Sequence, residues 1–165
     1  MSRALIALGA NRGDRAAALA AALNALGRLP GTRVTRVSSW YDTDPVPTPG
    51  GASADQPAFL NGVAEVETAL SPRALLGACL GIEAAAGRVR TLPGGPRCLD
   101  LDLLVYEGVA SDDPELRLPH PRMAARAFVL VPLAELYPDG RVLGVDLSAA
   151  LHAVDRAGVR PWPPC

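Results

Sequence analysis

The sequence predicts an α+β fold, a single domain in which helices pack on an antiparallel sheet. Three observations carry that expectation. Apolar, β-branched runs of strand length alternate with segments of helical periodicity. Capping residues stand directly before the helical segments. Two stretches rich in proline, glycine or arginine interrupt the order where no regular element can continue.

The elements follow in turn. Ala4-Leu5-Ile6-Ala7-Leu8 is a continuous apolar run, as in a strand buried on both faces. Gly9 to Gly13 reads as a tight loop, and Asp14 as the N-cap of a helix whose Leu19, Leu23 and Leu26 repeat at helical spacing up to Gly27. Thr32 to Tyr41 is β-branched and aromatic enough for a second strand. Asp42 to Pro57 holds Pro45, Pro47, Pro49 and Pro57 around Gly50-Gly51, so it is neither helix nor inner strand. A loop of that length inside a small domain points to function. Phe59 to Thr68 alternates as a third strand. Ser71-Pro72 opens a second helix with an apolar stripe of Leu75, Cys79, Ile82 and Ala86, which Gly87 stops. Arg88 to Arg97 is a second long loop, and Leu99 to Tyr106 a fourth strand. A polar turn around Asp112-Asp113-Pro114 and the segment Leu118-Pro119-His120-Pro121 come next. Helices are expected over Phe128 to Leu136 and Ser148 to Asp155, and a loose tail over about residues 158–165. The order is βαβ-βαβ with additions, a ferredoxin-like sandwich with helices on one face and long mobile loops.

Composition narrows the function. A chain of 165 residues suits one domain, residues 1–165, and buries a core without disulfides or a structural metal. Aromatics are only 4%, so that core is built from Leu, Val, Ile and Ala. A net charge of -1 with no block of like charges argues against a broad nucleic-acid footprint. Cys79, Cys98 and Cys165 are isolated, which points to a reducing, cytoplasmic setting and away from structural zinc. No segment approaches the roughly 20 apolar residues of a membrane helix.

The strongest chemical signal is Asp100-Leu101-Asp102. Period-2 alternation puts both carboxylates on one strand face, roughly 6.5 Å apart. Leu104 and Tyr106 share that face, while Leu99, Leu101, Leu103 and Val105 form the core on the other. Carboxylates this close repel, and a divalent cation removes the penalty; magnesium favours one or two carboxylates with water and substrate phosphates. Two solvated acids on an exposed face remain the alternative. The loop before them carries Arg88, Arg90 and Arg97, whose forked guanidinium groups suit phosphate oxygens, as do Arg122 and Arg126 near His120. His120 stands between two prolines, either as a hydrogen-bond donor to phosphate or as a turn residue. Phe59 and Asn61 alternate onto one face, where a ring beside a carboxamide can stack and read a flat heterocycle, although a strand Phe is as readily core.

These stretches together resemble the 6-hydroxymethyl-7,8-dihydropterin pyrophosphokinase family of folate biosynthesis. ALGANRGDR, SSWYDTDPV, DQPAFLNGV, GIEAAAGRVR, GPRCLDLDLLVY and LPHPRMAARAFVLVPL run in order from Ala7 to Leu133. The resemblance implies transfer of pyrophosphate from ATP to the pterin's hydroxymethyl oxygen, with release of AMP. It implies two magnesium ions on Asp100 and Asp102, and catalytic roles for Arg88, Arg97, Asp100 and Asp102. The pterin pocket would be Thr43, Asp44, Val46, Phe59, Asn61 and Phe128. The ATP side would be Glu83, Arg88, Arg90, Arg97, His120 and Arg126. The partners implied are small molecules alone, for a monomeric cytoplasmic enzyme. The chain departs from the family pattern in three places. Asp44 stands where many relatives have proline, and Val46 to Asp55 is longer and richer in Pro and Gly. Leu92-Pro93-Gly94-Gly95 replaces an Arg-Trp-bearing segment, one residue short.

Two other functions fit parts of this pattern. A two-metal nucleotidyl transferase or phosphohydrolase would use the Asp pair but leaves Phe59, Asn61 and the LPHP segment without a role. A non-catalytic or slowed pterin- or nucleotide-binding relative would follow from the altered 92–95 segment.

Overall fold

The computed structural model describes residues 1–47, 55–87 and 98–163. Its main sheet is antiparallel throughout. Strand β1 (Ser2–Ala10) lies between β4 (Phe59–Thr68) and β5 (Asp100–Tyr106). The other edge of β4 is shared by β2 (Thr32–Val37) and β3 (Trp40–Thr43), and β3 in turn pairs with β10 (Val159–Trp162). Two hairpins, β6–β7 (Ser111–Asp113, Leu116–Leu118) and β8–β9 (Arg141–Val142, Val145–Asp146), stand outside it.

Helix α1 (Arg15–Gly27) starts where Asp14 accepts a hydrogen bond from the Ala17 amide at 3.1 Å, satisfying a donor of the first turn. Ser71 caps α2 (Pro72–Ala85) in the same way through the Ala74 amide at 3.2 Å. Leu19, Ala22 and Leu26 of α1 and Leu75 and Cys79 of α2 pack against Ala4, Ile6, Leu8, Leu60, Val66, Leu99, Leu101 and Leu103. The opposite face is covered by α3 (Ala127–Leu136), whose Val129, Leu130 and Leu133 meet Leu5, Val63, Leu104 and Val105. The short α4 (Ser148–Ala153) packs beside it. The ferredoxin-like order is present, but helices cover both faces of the sheet rather than one. Alternation along β1 explains this: Ala4, Ile6 and Leu8 look one way and Leu5 and Ala7 the other.

Three expectations need revision. The Thr32–Tyr41 strand is two, broken at Ser38-Ser39, where the Ser38 hydroxyl accepts from the Val63 amide. Gly9 and Ala10 belong to β1, not to a loop. The residues from Val159 to Trp162 are an ordered edge strand, where a loose tail was expected.

Strand β5 also breaks strict alternation. Leu5 pairs with Val105 but Ile6 with Leu103, so Leu104 is an extra, bulged residue. Leu104 and Val105 therefore both join the α3-side core, and Tyr106 returns to the face of Leu101 and Leu103. The bulge is used: the Leu104 carbonyl accepts from the His120 amide at 2.7 Å, which ties the Pro-His-Pro turn to the end of the Asp strand.

Candidate functional site

The site is built on the α3-side face of the three central strands. Gly9 is paired with Asn61 on one side and with Asp100 on the other, so the three lie abreast. Directly paired residues present to the same face, and two strand spacings put the Asn61 and Asp100 backbones about 10 Å apart. A Cβ on Gly9 would come within 2.4 Å of the Asn61 Oδ1, so only glycine leaves that side chain its place. Around this floor opens a cavity of about 560 Å³, within the size range of small-ligand sites.

One end of the cavity is suited to a flat polar ring. The Asn61 Nδ2 donates to the Thr43 Oγ1 at 2.6 Å, and both residues are buried. This fixes the carboxamide, so its oxygen and the Thr43 hydroxyl offer a set acceptor and donor to the cavity. Phe59 from the sheet and Phe128 from α3 line the same space, with Asp44 and the exposed Val46 at its rim. Arg160 lies 2.8 Å from the Asp44 carboxylate and, chiefly by that hydrogen bond, holds its pKa below the usual value. The structure thus brings together all six residues of the expected pterin set.

The other end is ionic. Asp100 and Arg126 line the cavity, and Arg126 reaches Asp102 at 3.9 Å while its guanidinium lies 5.5 Å from the centre of the Phe128 ring. Asp100 and Asp102 are half-buried, not fully solvated. Among the described residues no cluster of three or more His, Cys, Asp or Glu forms a ready metal cage. Asp100 lines the cavity and Asp102 does not; two carboxylates one residue apart on a strand fit a hard cation that takes its remaining oxygens from water and substrate, and do not fit zinc.

His120 stands beside this end without lining the cavity. Burial, then Arg126 and Arg122, lower its pKa against the pull of Asp100. The Arg122 amide donates to its Nδ1 at 3.2 Å, so in the neutral ring the hydrogen is on Nε2. The structure thus makes His120 a donor. Glu83, expected on the ATP side, is buried under the Asp strand, and its carboxylate accepts from the Leu101 amide at 3.0 Å. It holds the backbone between the two aspartates. Arg88, Arg90 and Arg97 lie outside the described residues.

Sequence reasoning missed Gly9, and it missed Gly158 and Val159, which line the cavity where β10 begins. A glycine continuing an apolar run was the available signal for the first. For β10 the signal was weak, a Val-Arg-Pro-Trp run beside prolines. Arg122, expected with Arg126 among the phosphate-suited arginines, lines the cavity, as do the small Ala125 and Ala127.

Comparison with known proteins bears on the family and the fold. Residues 5–138 match the family described as 7,8-dihydro-6-hydroxymethylpterin-pyrophosphokinase (HPPK). A 2-amino-4-hydroxy-6-hydroxymethyldihydropteridine pyrophosphokinase of Pseudomonas aeruginosa is 48% identical over 164 residues, covering 99% of this chain and 98% of that protein. The protein of the same description from Methylorubrum extorquens is 46% identical over 159 residues, covering 96% and 98%. Among solved structures, a Plasmodium falciparum HPPK-DHPS shares the fold with a TM-score of 0.66 at 12% identity, over 98% of this chain. This chain spans 47% of that longer polypeptide. No helix among the described residues is long and apolar enough to cross a membrane.

Proposed function

The chain belongs to the 7,8-dihydro-6-hydroxymethylpterin-pyrophosphokinase family, and from that premise we propose how its residues carry the transfer of pyrophosphate from ATP to the pterin's hydroxymethyl group. The observation that supports this most is the shared floor. A carboxamide suited to a heterocycle edge and a carboxylate suited to a metal–polyphosphate stand on either side of one glycine. Thr43 and Asn61 would hold the pterin edge, and Phe59 and Phe128 its faces. Asp100 and Asp102 would hold two magnesium ions, whose chemistry is to neutralise phosphate charge and favour in-line displacement.

Arg126 would then exchange Asp102 for a phosphate oxygen, and the His120 Nε2–H would donate to another. Arg88, Arg90 and Arg97 would complete the phosphate contacts, Arg88 and Arg97 with catalytic weight. Glu83 is better read as a positioning residue for the Asp strand than as a direct ATP ligand, because its carboxylate is engaged with the Leu101 amide. The hydroxymethyl oxygen bonds to the β-phosphorus, the bond to the α-phosphate's bridging oxygen breaks, and AMP leaves. The alcohol proton passes to solvent. The protein's part is to align the reactants and stabilise charge.

Incubation with ATP, magnesium and 6-hydroxymethyl-7,8-dihydropterin tests this. AMP and pterin diphosphate are expected only when all three are present. ATP hydrolysis without pterin would indicate a phosphohydrolase instead, and binding without turnover a non-catalytic relative.

A further inference from the structure

We infer that Arg160, on the last strand, positions the rim of the pterin pocket through a chain of alternating charges and thereby sets pterin affinity without touching the pterin. The inference rests on the assignment of that end of the cavity to pterin. Arg15, at the start of α1, lies 2.9 Å from Asp42 on β3. Asp42 is also 3.8 Å from Arg160, which in turn lies 2.8 Å from Asp44. The Arg15 Nη1 donates as well to the Ala58 carbonyl at 3.0 Å, one residue before Phe59. On the main chain, the Asp44 amide donates to the Gly158 carbonyl at 2.9 Å.

One carboxylate, Asp42, therefore connects two walls of the pocket. Through Arg160 it reaches the segment that runs from Thr43 past Asp44, and through Arg15 the entry to Phe59. Gly158 and Val159 themselves line the cavity, so a displacement of β10 displaces the wall. An isolated exposed ion pair contributes little, because solvent screens it and two long side chains lose freedom. This chain differs in joining α1, β3 and β10, and it acts on geometry more than on stability. Arg160 does not line the cavity and is a positioning residue.

The test uses the full-length protein with magnesium and a non-hydrolysable ATP analogue. Binding of 6-hydroxymethylpterin is followed by its fluorescence in wild type, Arg160→Ala, Arg160→Lys and Asp42→Asn, beside steady-state kinetics. Arg160→Ala is expected to raise the pterin Kd and KM about three- to five-fold. The KM for ATP and kcat should stay within about two-fold, and Arg160→Lys should recover part of the loss. Combining Arg160→Ala with Asp42→Asn should cost less than the sum of the two, as for groups in one network. Unchanged pterin Kd in both single variants would overturn the inference. So would a parallel loss of pterin affinity, ATP KM and kcat. Failure of the wild type itself to bind the pterin would overturn the assignment of the cavity on which the inference rests.

Discussion

The two faces of the central sheet use the same strands for different ends. Towards α1 and α2, strands β1, β4 and β5 present Ile6, Leu8, Leu60, Val66, Leu101 and Leu103, a mainly apolar surface. Towards α3 they present Gly9, Asn61, Asp100 and Asp102 at one end of the strands and Leu5, Val63 and Leu104 at the other. Period-2 alternation allows one strand to serve stability and chemistry at once. The polar groups need no separate scaffold, because the facing core already holds their backbone rigid.

The sharpest way to break the comparison is to alter one face and read both properties. Asp100→Ala or Asp102→Ala should lower kcat on the order of 10³-fold or more, by removing a metal ligand. The unfolding midpoint should stay close to wild type, because each acid is half-exposed and outside the core. Full activity in either variant would sink the metal assignment. Leu75→Ala, on the other face, should cost about 2–5 kcal/mol in denaturant unfolding, because the side chain is fully buried. Its kcat at a temperature where it is folded should remain near wild type; a selective loss of turnover would show that the faces are not separable.

Asn61→Ala should weaken pterin binding about ten- to a hundred-fold and leave ATP binding little changed, since it removes a buried, oriented carboxamide. Gly9→Ala should mimic it in direction, because the new Cβ displaces the same Asn61 oxygen. Equal loss of both ligands in either variant would contradict the division of the cavity.

The smallest effect concerns Glu65, a buried carboxylate away from the cavity. Burial pushes its pKa up, but hydrogen bonds from Arg36, Tyr137 and Thr35 outweigh this and leave it lowered from 4.5. A lowered folded-state value means a stabilising contribution that is present above about pH 4.5 and lost as pH falls through the folded-state pKa. Glu65→Gln should therefore melt below wild type at neutral pH, with the gap closing on acidification. A gap that widens in acid would reverse the sign of the argument.

How much of this was legible in the sequence depended on range. Asp14, Ser71 and the alternation of Phe59–Thr68 are local signals, and the structure follows them. The bulge at Leu104 was not legible, because its carbonyl is taken by the amide of His120, a distant residue. Strand β10 depends on pairing with β3 more than a hundred residues earlier. Helix α3 is apolar at every position but Glu135, so its periodicity could not say which sheet face it covers. Within the site, Asn61, Phe59 and Asp100 were readable from alternation. Gly9 was not, because a glycine followed by Ala-Asn-Arg-Gly reads as a turn until its neighbours on both strands are known.

The central claim is that the Asp pair on the α3-side face holds magnesium together with ATP while the opposite face holds the fold. Calorimetric titration of a non-hydrolysable ATP analogue, with and without magnesium, into wild type and Asp100→Ala tests it most directly. Wild type should bind with an affinity that rises on adding magnesium, and the variant, with an unchanged melting temperature, should lose that rise. The same magnesium-dependent gain in both proteins would contradict the account.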